Sequence, residues 1–227
     1  MSSTLKLRGK KSIMIDAISS LLPTYAPETD VTVPNQDAGE ALITAAIWLF
    51  CRHGIKNTGV EKIISRAGVS KMTLYNRFST KEGLVAAAVE VEAQQWREWL
   101  FSYVRSGEPD VQYGRILLVF SALFAWFSRK DYFGCLIMKA AIEFGDDSPE
   151  ITRIFNAHKT AMILFLAELC EDNQCERCEI LSSMLMTLVD GSIVKSLLTK
   201  NAAYGLEARE MAKIIIESFL PVAVSTE

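Results

Sequence analysis

Glycine and proline are both scarce in this chain, at 12 and 6 of 227 residues. That excludes collagen-like and low-complexity classes. Long uncharged runs are missing as well. The longest covers residues 116–128, only 13 positions. A membrane-crossing helix needs about 20, so this run reads as a buried helix and the chain as one with no membrane partner. Cysteine is sparse and odd in number, with five at positions 51, 135, 170, 175 and 178. That is not a disulfide scaffold, and it points to a reducing, cytoplasmic setting. Lys6, Arg8, Lys10 and Lys11 precede a weakly apolar stretch, but Asp16 interrupts it and no small-residue cleavage site follows. No secretory leader is read there. No internal repeat is visible.

Apolar residues, by contrast, make up 50% of the chain. A disordered chain could not be so rich in them, and the length suffices for a sizeable core. The net charge of −3 hides an asymmetry: residues 38–84 carry +4 and residues 85–227 carry −7. A small basic unit joined to a larger acidic one suggests that only the first meets a polyanion. The expected domains are an extension over 1–37, a small basic domain over 38–84 and a larger acidic domain over 85–227.

Met14, Ile15, Ile18, Leu21 and Leu22 have helical spacing, which allows a short amphipathic helix in the extension. Pro23, Pro27 and Pro34 break regular structure after it. From Ala38 onward turn signals come at helix-length intervals and strand-like alternation is absent. The spacing predicts an all-α chain of about nine helices. Leu42, Ala45, Ala46, Leu49 and Phe50 form one apolar stripe of helix 1, stopped by Gly54. Thr58 and Glu61 fit a capping box opening helix 2, as do Ser79 and Glu82 for helix 4. Ser70 caps helix 3. Later helices are expected over about 110–129, 135–144, 149–172, 176–200 and 206–220.

The informative stretch is TGVEKIISRAGVSKMTLYNRF, residues 58–78. Two short helices meet across a tight turn in which Gly68 can take a positive φ. That is helix-turn-helix geometry, whose second helix enters the major groove. Lys71, Met72, Thr73, Tyr75 and Asn76 point outward, while Leu74 and Phe78 point to the core. The wider segment GIKNTGVEKIISRAGVSKMTLYNRFSTKEGL resembles the N-terminal signature of the tetracycline-repressor (TetR) family of bacterial transcription regulators, over about residues 41–90. The resemblance implies a homodimer on a palindromic operator in double-stranded DNA. It implies DNA contacts from Ser70, Lys71, Met72, Thr73, Tyr75 and Asn76, with Thr58 and Lys81 facing phosphates. A helix N-terminus favours an anion, and Lys81 adds a point charge. Asp37 and Glu40 stand where family members often carry basic residues.

The segment GCLIMKAAIEFG, with His158 after it, resembles the effector domain of one branch of the family, with residues 135–144 as a short helix beside a ligand cavity. Trp96, Trp99, Phe120, Phe124, Trp126, Phe127, Cys135, Met138 and Met162 are candidates to line that cavity, with an ordinary tight core as the alternative for any one of them. Glu143 and His158 are its candidate polar groups. Cys175 and Cys178, with Cys170 nearby, suggest a thiol or zinc site, but a closed zinc site needs about four ligands at fixed spacing. They read as helix-end cysteines, with no metal and no cofactor. Leu181, Met184, Leu185, Leu188, Ile193, Met211, Ile215 and Phe219 exceed what one small domain must bury and mark a dimer surface. Gly191 would allow close helix approach there, and the resemblance implies a four-helix bundle.

Together these features describe a ligand-responsive, dimeric DNA-binding regulator, not an enzyme, whose small-molecule effector the sequence does not name. The rivals are an all-α small-molecule-binding protein or enzyme without DNA binding, and a helical adaptor for a protein partner.

Overall fold

A computed structural model describes residues 37–221 except positions 110, 112 and 146. The expected extension and its short helix therefore lie outside the described residues, apart from Asp37. Among the described residues there are nine helices and no strand. They are α1 Ala38–His53, α2 Val60–Ala67, α3 Lys71–Phe78, α4 Lys81–Ser106, α5 Gly114–Phe127, α6 Leu136–Phe144, α7 Pro149–Asp172, α8 Cys178–Thr199 and α9 Tyr204–Glu217. The chain divides into two compact units. One holds residues 37–97 and 133–158, the other residues 98–132 and 159–221. The segment 133–158, with α6, thus groups with the basic N-terminal helices.

In the first unit, the predicted stripe of α1 is buried throughout. Leu42, Ala46 and Phe50 of α1, Ile63 of α2 and Leu74 of α3 are all fully inaccessible to water, and the three helices pack on one another. Each such large side chain contributes about 1.5–3 kcal/mol on burial, enough to hold two eight-residue helices that would not persist alone.

Asp37 starts α1. Its carboxylate accepts the Gly39 N–H at 2.8 Å and pairs with the Arg77 guanidinium at 2.7 Å, tying the start of α1 to the end of α3. The Gly39 bond, and then the Arg77 charge, hold Asp37 below the usual aspartate value of 3.8. A lowered folded-state value means stability that is present above the unfolded value and lost as pH falls through the folded one. Asp37→Asn should therefore flatten the fall in melting temperature below about pH 4. An unchanged acid limb would remove Asp37 as a source of that stability.

In the second unit α5 packs against α8 and α9. Its predicted all-round apolar surface is largely buried. Gly205 is needed where α9 crosses α5, because a Cβ there would lie 2.7 Å from the Phe124 backbone. The helix α8 is long and apolar enough to cross a bilayer by composition alone. Here Leu181, Leu185, Val189 and Ile193 are buried in the unit, and Asp190 pairs with Lys159 of α7.

Candidate nucleic-acid interface

The turn between α2 and α3 forms as the sequence requires. Gly68 sits at φ 66°, and the Val69 N–H bonds back to Ile64 O at 3.2 Å. Ser70 caps α3, its hydroxyl accepting the Thr73 N–H at 3.1 Å. Leu74 is the single fully buried side chain of α3. Around it the helix turns an edge to solvent: Met72 is 72% exposed and Tyr75 41%, with Ser70, Lys71 and Asn76 exposed and Thr73 half-buried. An exposed methionine and tyrosine on a short helix have the shape and chemistry of a groove-reading edge.

Several cations of this unit are held by its own groups. The Lys71 ammonium lies 2.7 Å from the Glu61 carboxylate, a bond that pushes the lysine pKa up. Reaching a phosphate or base means leaving that partner. Glu61 was not foreseen as Lys71's neighbour, since no helical spacing links two separate helices. Arg66 and Arg52 stack on the Trp48 ring, at 3.6 and 4.5 Å from its centroid, joining α2 to α1. The Lys81 ammonium donates to Ile55 O at 3.2 Å.

The helices α2 and α4 both start one residue later than the expected capping boxes place them. The N-cap of α2 is Gly59, with no side-chain cap. Thr58 is fully buried, and its hydroxyl donates to Gly54 O at 2.7 Å. The expected phosphate contact from the Thr58 side chain is therefore corrected: that hydroxyl closes the α1–α2 turn instead. Ser79, at φ 61°, ends α3, while the Thr80 hydroxyl accepts the Gly83 N–H at 3.0 Å and opens α4.

The proposed effector-pocket residues are divided between the units. Trp96, Cys135, Met138, Glu143 and His158 fall in the first, and Trp99, Phe120, Phe124, Phe127 and Met162 in the second. Trp96 and His158 are brought together, with ring centroids 5.5 Å apart, and Arg97 Nη1 lies 3.2 Å from His158 Nδ1. Glu143 does not join them. Its carboxylate accepts the Ile55 and Lys56 N–H groups of the α1–α2 turn at 3.2 and 2.8 Å, a correction that no spacing rule could have supplied.

The residues expected at a dimer surface fall into two groups. Leu181, Leu185, Ile193 and Phe219 are buried within their own unit. Met184 and Met211 are exposed, and Leu188 and Ile215 are half-buried. A Cβ on Gly191 would meet nothing within 4 Å. The exposed apolar face of α8 and α9 is instead made by Ile180, Met184, Val194, Leu198, Leu206, Met211 and Ile214. Of the cysteines, burial and then the neighbouring Cys175 and Cys178 thiols push Cys170 up to about 12, which disfavours the reactive thiolate. Among the described residues no three His, Cys, Asp or Glu side chains stand close enough to hold a metal ion.

A capped helix-turn-helix on an all-α frame, with its second helix presenting an uncovered edge, defines a DNA-binding transcriptional regulator. Residues 42–88 match the family described as bacterial regulatory proteins, tetR family. It is 24% identical over 145 residues, 63% of this chain and 72% of the relative, to the HTH-type transcriptional repressor NemR of Escherichia coli strain K12. The fold matches the crystal structure of the reduced form of E. coli NemR with a TM-score of 0.72 at 22% identity, over 80% of this chain and 97% of that one. It also matches SCO4454, a TetR-family regulator from Streptomyces coelicolor, with a TM-score of 0.72 at 20% identity, over 81% of this chain and 96% of that one.

Proposed function

We propose that the protein is a ligand-responsive repressor that binds a palindromic operator as a homodimer and works in the cytoplasm. The observation that carries the reading is the exposed edge of α3, with Met72 and Tyr75 facing solvent around a buried Leu74. The dimer is supported by the exposed apolar face of α8 and α9 and by the shallow groove between them, lined by Leu188, Gly191, Ala208 and Met211. A palindromic operator read by two such copies offers its half-sites about 34–36 Å apart along the duplex, or a multiple of that. The repressor role is supported by the similarity to the E. coli repressor. Trp96 and His158 remain the effector contacts of choice; an effector can shift DNA affinity only by its preference for one arrangement, about 1–3 kcal/mol.

Light scattering tests the dimer. The wild type should show twice the mass of one chain, and Met211→Asp should lower it to one. A wild-type monomer at micromolar concentration would contradict the reading.

Lys81 keeps two further ammonium donors beyond the one on Ile55 O. If it faces a phosphate, Lys81→Ala should weaken binding to every duplex alike and lower the slope of log K against log salt by about one. Weakened binding with an unchanged slope would assign Lys81 to holding the turn alone.

A further inference from the structure

We infer that Glu143, on α6, is a positioning residue for DNA binding: its carboxylate sets the α1–α2 turn from which the helix-turn-helix starts. The inference rests on the DNA-binding reading above and adds a residue that does not touch DNA.

Residues 54–58 must reverse the chain within five positions. Gly54 takes φ 82°, and the turn closes through Thr58 Oγ1 to Gly54 O at 2.7 Å and the Thr58 N–H to Ile55 O at 3.2 Å. This leaves the Ile55 and Lys56 N–H groups directed to the same side. Successive amides of that kind form a small anion-binding concavity. Glu143 fills it from 88 and 87 residues away, Oε1 on Ile55 and Oε2 on Lys56. A carboxylate is suited to this because both of its oxygens accept and neither donates. The same peptide segment is gripped from another side by Lys81, whose ammonium is on Ile55 O.

The anchorage of α6 is not limited to one residue. Lys139, one turn before Glu143, donates to Cys51 O at 2.6 Å, in the last turn of α1. The Lys56 ammonium lies 5.2 Å from the centroid of the Phe144 ring. Opposite charges at an i, i+4 spacing on α6 thus hold a carbonyl at the end of α1 and two amides just beyond it. The turn leads directly into α2, which packs on α3 and buries Ile63 fully, as α3 buries Leu74. Loosening residues 54–58 therefore loosens the platform on which α3 is presented, without removing any charge that faces DNA.

The test uses the full chain, its selected duplex, and the variants Glu143→Ala and Glu143→Gln. Glu143→Ala should weaken duplex binding about tenfold, as expected for losing charge-assisted bonds that orient a binding element. The salt slope should stay unchanged, because no phosphate contact is lost. Hydrogen exchange at Ile55 and Lys56 should quicken at least tenfold, with exchange in α5 and α8 unaltered. Glu143→Gln should fall between the wild type and Glu143→Ala, since one amide oxygen accepts and the NH2 opposes the second N–H. It also supplies the affinity ratio should Glu143→Ala unfold. Variants that bind within twofold of the wild type would overturn the inference, and so would a salt slope lowered by one. A wild type that binds no duplex would instead sink the DNA-binding reading itself, and exchange at Ile55 and Lys56 would still report whether Glu143 holds the turn.

Discussion

Tyr75→Ala should weaken binding to the protein's preferred duplex by tenfold to a hundredfold while leaving the helical circular dichroism and the melting temperature in place. The ring stands 41% exposed on α3. A side chain of that size at a groove floor or phosphate wall is worth about 1–3 kcal/mol of binding. The loss should be larger on the preferred sequence than on random DNA, because an edge that reads bases discriminates between them. Retained affinity in gel retardation would return Tyr75 to the surface aromatics.

Leu74→Ala should act in the opposite manner. Leu74 is one position before Tyr75 in sequence but faces the other way, fully enclosed among residues of α1 and α2. Truncating a buried leucine costs about 2–5 kcal/mol, the lost transfer energy plus the cavity left behind. Typical domain stability is only about 5–15 kcal/mol. The first unit should therefore lose a large share of its stability, seen as a melting temperature lowered by several degrees, and DNA affinity should fall with it at physiological temperature. A melting temperature within a degree of the wild type would mean that α3 is not held by this residue.

The contrast between these neighbours shows what was legible in the sequence. Periodicity alone separated Leu74 from Tyr75, and Gly68 marked the turn before them. The burial of α1 and the enclosure of α5 followed from apolar stripes in the same way. Caps were less legible. Thr58 stands beside Gly59, and both residue types open helices, so local chemistry could not decide which one ends the turn. The apolar face expected to join two copies was only partly legible for a related reason. The helix α8 is apolar on nearly every side, and such a helix does not declare which residues face its own core. Leu181 and Leu185 turned inward, while Ile180 and Val194, which were not named, stayed exposed. Glu143 was not legible in its true place at all. Its contact with Ile55 and Lys56 joins segments far apart in sequence, and only the fold brings a carboxylate to two waiting amides.

The most direct test of the account is selection of binders from a pool of random duplex DNA by the purified full-length protein at low ionic strength. The account predicts enrichment of an inverted repeat whose half-site centres lie about 34–36 Å apart, or a multiple of that. The Tyr75→Ala variant should lose that enrichment. Failure to retain any duplex, or retention with no preferred sequence, would contradict the assignment of α3 as the DNA-reading element.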